Sequence, residues 1–171
     1  MDHIQHILNA AKTDLGSLHP LIVHFPIALL FIAPLFIILA LIFFKSSRQF
    51  LISAAILMVI GTLFIFVAIK AGDLAADKIA NSDPATLSTL GHHDHEADKS
   101  RSYFSILSAV FVVLTILFSF IKKLQSIRVQ FPLLIIFLIA YAFGLLTLTE
   151  TANYGGRLVH QHGVHTTLFD K

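Results

Sequence analysis

Four long apolar runs divide this chain, separated by two short basic links and one longer polar segment. The runs cover about residues 20–44, 50–70, 102–121 and 131–150. At 1.5 Å of rise per residue, each is long enough to cross about 30 Å of hydrocarbon. A helix satisfies its own backbone hydrogen bonds in lipid, so each run is predicted to be a transmembrane helix. The links Lys45 to Gln49 and Lys122 to Gln130 are short, which makes spans one and two, and spans three and four, antiparallel neighbours. The predicted fold is an all-α membrane protein: four transmembrane helices in an antiparallel up-down bundle, with short surface helices on the outward side.

The pattern at the ends completes this layout. Segment 1–18 has Ile4, Ile7, Leu8, Ala11 and Leu15 at helical spacing, which reads as an amphipathic helix on the membrane surface or equally as a capping turn. It lacks the basic start and continuous apolar core of a cleavable signal and is expected to stay attached. Residues 19–152 form the transmembrane domain with a polar outward loop at 71–101, and 153–171 form a histidine-rich outward segment. Pro26 and Pro34 each remove a backbone donor inside the first run, so that helix is expected to bend.

Composition sharpens the class. Of 171 residues, 56 % are hydrophobic and only 13 % charged, where a soluble domain has roughly 25 % charged residues. Mean hydropathy is +0.82. A net charge of +2 carried by scattered basic residues excludes a nucleic-acid binder. The absence of cysteine excludes disulfides, thiolate metal sites, iron–sulfur clusters and covalently attached haem. Any metal must be held by nitrogen or oxygen.

Charge placement then gives an orientation. The two short links hold Lys45, Arg48, Lys122, Lys123 and Arg128 and no acid, while every Asp and Glu falls on the other side. By the positive-inside rule the links are cytoplasmic, and both termini and the middle loop face outward. All ten histidines, namely His3, His6, His19, His24, His92, His93, His95, His160, His162 and His165, then share the outward side. Histidine is the commonest metal ligand and a frequent axial ligand of haem iron, so a one-sided set suggests a site.

His24 lies within an apolar run, where an ionisable group is a functional hypothesis by default. The plainer reading is a neutral imidazole bonded to a neighbouring helix. His19, five residues earlier, cannot share a helical face with it. His92 and His95 are three apart on one side of a helix if Asp83 and Pro84 start one. A solvated polar loop explains them as well. Glu96 is placed to orient a ligating imidazole. Gly155 and Gly156 permit close approach or break the last helix. Were that helix to run straight on, His162 would stand about 20 Å beyond the apolar run and far from His24. The segment must then fold back, or the site must lie above the membrane.

The stretches His19-Pro20-Leu-Ile-Val-His24-Phe25-Pro26-Ile27-Ala28-Leu29 and Gly155-Gly156-Arg-Leu158-Val159-His-Gln-His162-Gly163-Val164, with His95-Glu96 as a weaker third motif, resemble the domain-of-unknown-function family 2231. The family comprises four-helix bacterial membrane proteins, and the likeness covers nearly the whole chain. The resemblance points at His19, His24, His95 and His162 as site residues, with Gly155, Gly156 and Gly163 shaping the last segment. At His160 the family pattern would have tyrosine. His92, His93 and His165 have no firm counterpart. Relatives joined to cytochrome c or Rieske-type domains imply a link with electron transfer, and the expected location is the bacterial inner membrane.

Three functions follow as expectations. The first is a membrane-anchored electron-transfer protein carrying haem b near the outward face. It would be ligated by His24 with His95 or His162, with His19, Gly155 and Gly156 nearby, and would exchange electrons with a periplasmic cytochrome c or Rieske-type carrier. The second is a zinc, copper or iron site drawing on His19, His24, His92, His95, Glu96, His160 and His162. Copper(I) would call for sulfur ligands, and Met1 and Met58 are badly placed for it. The third is a structural or pH-responsive subunit. No nucleophile motif is apparent, and Asp73, Asp77, Glu96 and Glu150 lack a spacing diagnostic of acid–base work, which argues against an enzyme.

Overall fold

The structure, a computed structural model, describes residues 15–164. His3, His6, His165 and most of the expected N-terminal surface helix lie outside the described residues. After a 3-10 turn at Leu15–Leu18 come five helices: α1 (His19–Ile22), α2 (His24–Ile42), α3 (Ser47–Ala76), α4 (Pro84–Phe120) and α5 (Ile127–His160). Four segments are long and apolar enough to cross a membrane: Leu15–Ile42, Phe44–Ile79, Pro84–Phe120 and Ile127–His160. Each long helix packs on the next, and α2 also packs on α5, which closes a four-helix up-down bundle. Among the described residues there is no strand.

The helices outrun the apolar stretches that predicted them. The segment expected as a loop at 71–101 is mostly helix, because α3 continues to Ala76 and α4 begins at Pro84. Asp83 starts α4 by accepting hydrogen bonds from the backbone N–H groups of Ala85 and Thr86, and Pro84 fills the first turn, where its missing donor costs nothing. Polarity alone does not stop a helix, and nothing between Pro84 and the apolar run breaks one. In the same way α5 passes through Gly155 and Gly156 without interruption.

The two prolines of the first span act differently. Pro26 cannot donate to the carbonyl of Ile22, and the helix breaks there: α1 ends at Ile22, and α2 restarts after Val23. Pro34 stays inside α2 and leaves the carbonyl of Leu30 without its donor four residues on. The Tyr141 hydroxyl of α5 donates to that carbonyl at 2.8 Å, and both residues are fully buried. A neighbouring helix thus restores the bond that proline removed, as backbone in hydrocarbon requires.

A seven-residue seam holds the bundle together. On α3 the buried small residues Ser47, Ala54, Gly61, Ala68 and Ala75 recur every seventh position, alongside Leu51, Met58 and Ile65. Small side chains let helices approach closely: a Cβ on Gly61 would lie 2.8 Å from the Leu30 side chain. Facing them are Pro26, Ala33 and Ala40 on α2, Phe104, Phe111 and Phe118 on α4, and Leu134, Tyr141 and Leu148 on α5. A strict seven-residue repeat is the signature of left-handed packing. Mid-bundle, the Thr62 and Ser108 hydroxyls bond each other at 2.8 Å between α3 and α4, so the interior there is not wholly apolar. Large side chains such as Ile42, Ile106, Phe120, Ile136 and Leu146 point outward, an apolar belt suited to lipid.

Replacing Tyr141 by Phe should cost about 0.6–1.7 kcal/mol of stability, the range for one interhelical hydrogen bond in a membrane. Reversible unfolding in detergent or bicelles would read it. An unchanged midpoint would mean the Leu30 carbonyl is satisfied without Tyr141.

Candidate functional site at the histidine-bearing end

Above the apolar belt the seam continues, and its occupants change character. Seven residues before Pro26 stands His19; seven past Ile65 is Gly72; seven before Ser100 is His93; seven past Leu148 is Gly155. These four meet. The His19 and His93 rings lie edge to face, with centroids 6.1 Å apart and planes at 87°. A Cβ on Gly72 would come within 3.1 Å of the His19 ring, and a Cβ on Gly155 within 3.2 Å of the His93 ring, so each imidazole lies against a helix that has no side chain at that point.

Each ring is also anchored. His19 Nδ1 donates to the Ala68 carbonyl on α3 at 2.9 Å, and His93 Nδ1 donates to the Thr151 carbonyl on α5 at 2.9 Å. A carbonyl only accepts, so Nδ1 carries the hydrogen in both rings and Nε2 is the nitrogen with a lone pair. Ser100 supports this region by bonding the hydroxyls of Thr147 and Thr151 at 3.1 and 3.2 Å.

His24 has a different place. Its Nδ1 donates to the Pro20 carbonyl at 2.6 Å, within its own segment, and the residue is exposed. It occupies the helix break set by Pro26, where a continuous helix would have bonded that carbonyl through its backbone. His19 turns inward and His24 outward, as their five-residue separation requires.

The remaining expected residues are dispersed. His95 is exposed on the outer side of α4. His92 stacks on Tyr154 with ring centroids 5.3 Å apart, and the Arg157 guanidinium lies 5.5 Å from the centre of the same Tyr154 ring. Glu96 is buried and pairs with Lys99 at 2.6 Å, while its other carboxylate oxygen has no hydrogen-bond partner among the described residues. Gly156 has nothing within 4 Å of its Cβ position, so packing accounts for Gly155 and not for its neighbour. His160 is exposed at the end of α5.

His162 lies past the end of α5, yet it docks. Gly163 adopts a left-handed backbone with φ 67°, and the His162 and Val164 N–H groups bond back to the Arg157 and Leu158 carbonyls. This turn buries Val164 and sets the His162 ring between Thr86 and Thr89 of α4, with Nδ1 and Nε2 each 3.1 Å from a hydroxyl. Thr86 also donates to Asp83 at 2.6 Å. The segment does not fold back towards His24. It closes over the first turn of α4, and the His24–His162 pairing expected from sequence is not brought together. Among the described residues no group of three or more His, Asp or Glu side chains is placed to hold a metal ion.

His93 is the residue that sequence reading passed over. Its signal was its register: Thr86, His93, Ser100 and Leu107 recur every seventh position, and the other three are buried. Pairing His92 with His95 by their separation of three ignored where the helix already points its core.

The Thr86 hydroxyl and the nearby backbone donors hold the Asp83 carboxyl below its ordinary value. A depressed carboxyl contributes stability that is full above its unfolded pKa, near 4, and is lost as pH falls through the lower folded value. Amide hydrogen exchange should therefore show residues 84–89 and 158–164 losing protection together below about pH 4, and Asp83→Ala should loosen both at neutral pH. Loosening of 84–89 alone would show that the His162 turn docks independently of the cap.

No curated protein and no solved structure matches this chain. A family model described as a predicted membrane protein (DUF2231) matches residues 16–168, from the turn before His19 to beyond the His162 turn. With four membrane-spanning helices and a match over nearly its whole length, the chain belongs to the DUF2231 family of membrane proteins.

Proposed function

We propose that this chain is a membrane-anchored electron-transfer protein that holds a b-type haem at its histidine-bearing end, through His19 and His93. The observation that carries the reading is the pair itself: two imidazoles from separate segments, each fixed through Nδ1 on a backbone carbonyl and seated against a glycine. Such an anchor sets the tautomer, orients the ring and makes Nε2 the more basic nitrogen, which is how proteins prepare a histidine ligand.

The number of donors favours haem over a bare ion. Zinc takes three or four protein ligands, whereas a porphyrin supplies four nitrogens itself and would ask the protein for no more than the two that His19 and His93 offer. When bound, the group would supply reversible one-electron exchange. The chain's own residues do the rest. His19 and His93 ligate, and Ala68 and Thr151 hold the rings. Gly72 and Gly155 leave the space in which the rings lie.

The basic links at the far end support an orientation in which this site faces the periplasm of a bacterial inner membrane. A soluble carrier such as a cytochrome c or a Rieske-type protein would be the electron partner.

Absorption spectra of the detergent-purified protein, oxidised and dithionite-reduced, with metal analysis of the same sample, test the reading. A Soret band with sharp reduced bands is expected. His19→Ala and His93→Ala should each abolish the six-coordinate spectrum, while His24→Ala and His95→Ala keep it. A haem-free protein holding stoichiometric zinc, copper or iron would replace haem by a bare-ion site, and loss of the bands in His24→Ala alone would contradict the assigned pair.

A further inference from the structure

The end of the bundle opposite the histidines carries a site of another kind. The turn Phe44–Ser46, the first turn of α3, the last turn of α4 and the first turns of α5 enclose a cavity of about 260 Å³. Lys45, Ser47, Arg48 and Gln130 line it above a floor of Leu51 and Phe118, which belong to the core.

Charge is the first pointer. Two cations stand in the wall, and Lys122, Lys123 and Arg128 lie on the same end with no acid in either link. Lys45 and Arg48 repel one another unless an anion lies between them. Helix polarity is the second. Ser47 and Arg48 open the 30-residue helix α3, and its preceding residue Ser46 makes no side-chain cap, so the positive end of the helix faces the cavity.

The third pointer is independent of both. Gln130 is 4 % exposed, lines the cavity, and its amide oxygen has no hydrogen-bond partner among the described residues. A buried polar atom left unbonded is costly. The other end of the same amide carries N–H donors, which an anion in the cavity would receive.

We propose that this cavity binds the phosphate group of an anionic phospholipid from the adjoining leaflet. The surroundings favour lipid over a dissolved phosphate. Phe43 and Phe120, 55 % and 75 % exposed, lie on the chain beside the residues that line the cavity, where acyl chains would cover them. The Arg48 guanidinium sits 6.0 Å from the centre of the Phe120 ring, which holds a cation at the junction of head group and hydrocarbon. Basic pockets between transmembrane helices are suited to such head groups. The proposal does not depend on what the histidine end binds.

Native mass spectrometry of the detergent-purified full chain, titrated with phosphatidylglycerol or phosphatidylcholine, tests it. One phosphatidylglycerol should be retained per chain at concentrations where phosphatidylcholine is not. The double variant Lys45→Gln/Arg48→Gln, at exposed positions that leave the core intact, should weaken retention about 30-fold. Gln130→Leu should weaken it without altering charge, and His93→Ala should not affect it. Equal retention of both lipids, or undiminished retention by the double variant, would overturn the proposal. Displacement of the lipid by millimolar inorganic phosphate would assign the cavity to a dissolved anion instead.

Discussion

The structure depends on a seven-residue seam that does not stop where the hydrocarbon does. Within the apolar belt the seam is filled as a membrane bundle needs: small residues on α3 let the helices close up, and aromatic and branched side chains opposite fill the gaps. Past the belt the same register runs on through His19, Gly72, His93 and Gly155, and core packing becomes imidazole against glycine. The histidine pair is therefore held by the same geometry that holds the fold, not by a loop placed on top of it. Helices α3, α4 and α5 run unbroken from the membrane to the rim and carry His93 and the carbonyls and glycines that seat both rings, while His19 stands on the short α1 beyond the break at Val23.

Backbone satisfaction sets the second condition, and it explains which histidine does what. Lipid leaves no water to rescue a carbonyl without a donor. Pro34 creates such a carbonyl at Leu30, and Tyr141 answers it from another helix. Pro26 breaks the helix at the rim, and the His24 imidazole answers the Pro20 carbonyl nearby. The intramembrane position that made His24 the most conspicuous residue thus belongs to the repair of a helix break. His19 and His93 use Nδ1 on carbonyls too, but on those of neighbouring helices, and the two rings meet edge to face.

Much of this was legible in the sequence. Length and apolarity gave four spans, short links gave their antiparallel order, and Asp83 with Pro84 marked the start of α4. The opposed facing of His19 and His24 followed from helical spacing. What was not legible came from treating polarity as an end to helix: the stretch before Ser102 was read as a loop, so His93 was never placed in the register of Phe104 and Leu107. The paired glycines invited a break that the structure does not make. Gly155 is there for the His93 ring, a contact that joins residues 62 positions apart in the chain and leaves no local trace. The docking of His162 between two threonines of α4 is of the same long-range kind.

The central claim is that His19 and His93 act on one ion as a pair, and electron paramagnetic resonance of the oxidised, haem-loaded protein tests it most directly. Were both His19 and His93 to hold the group, its oxidised iron would give the low-spin signal of two imidazole donors. The account predicts that signal, with conversion to high-spin iron when either histidine is replaced by alanine. A high-spin signal in the unaltered protein, or a low-spin signal that survives His93→Ala, would contradict it.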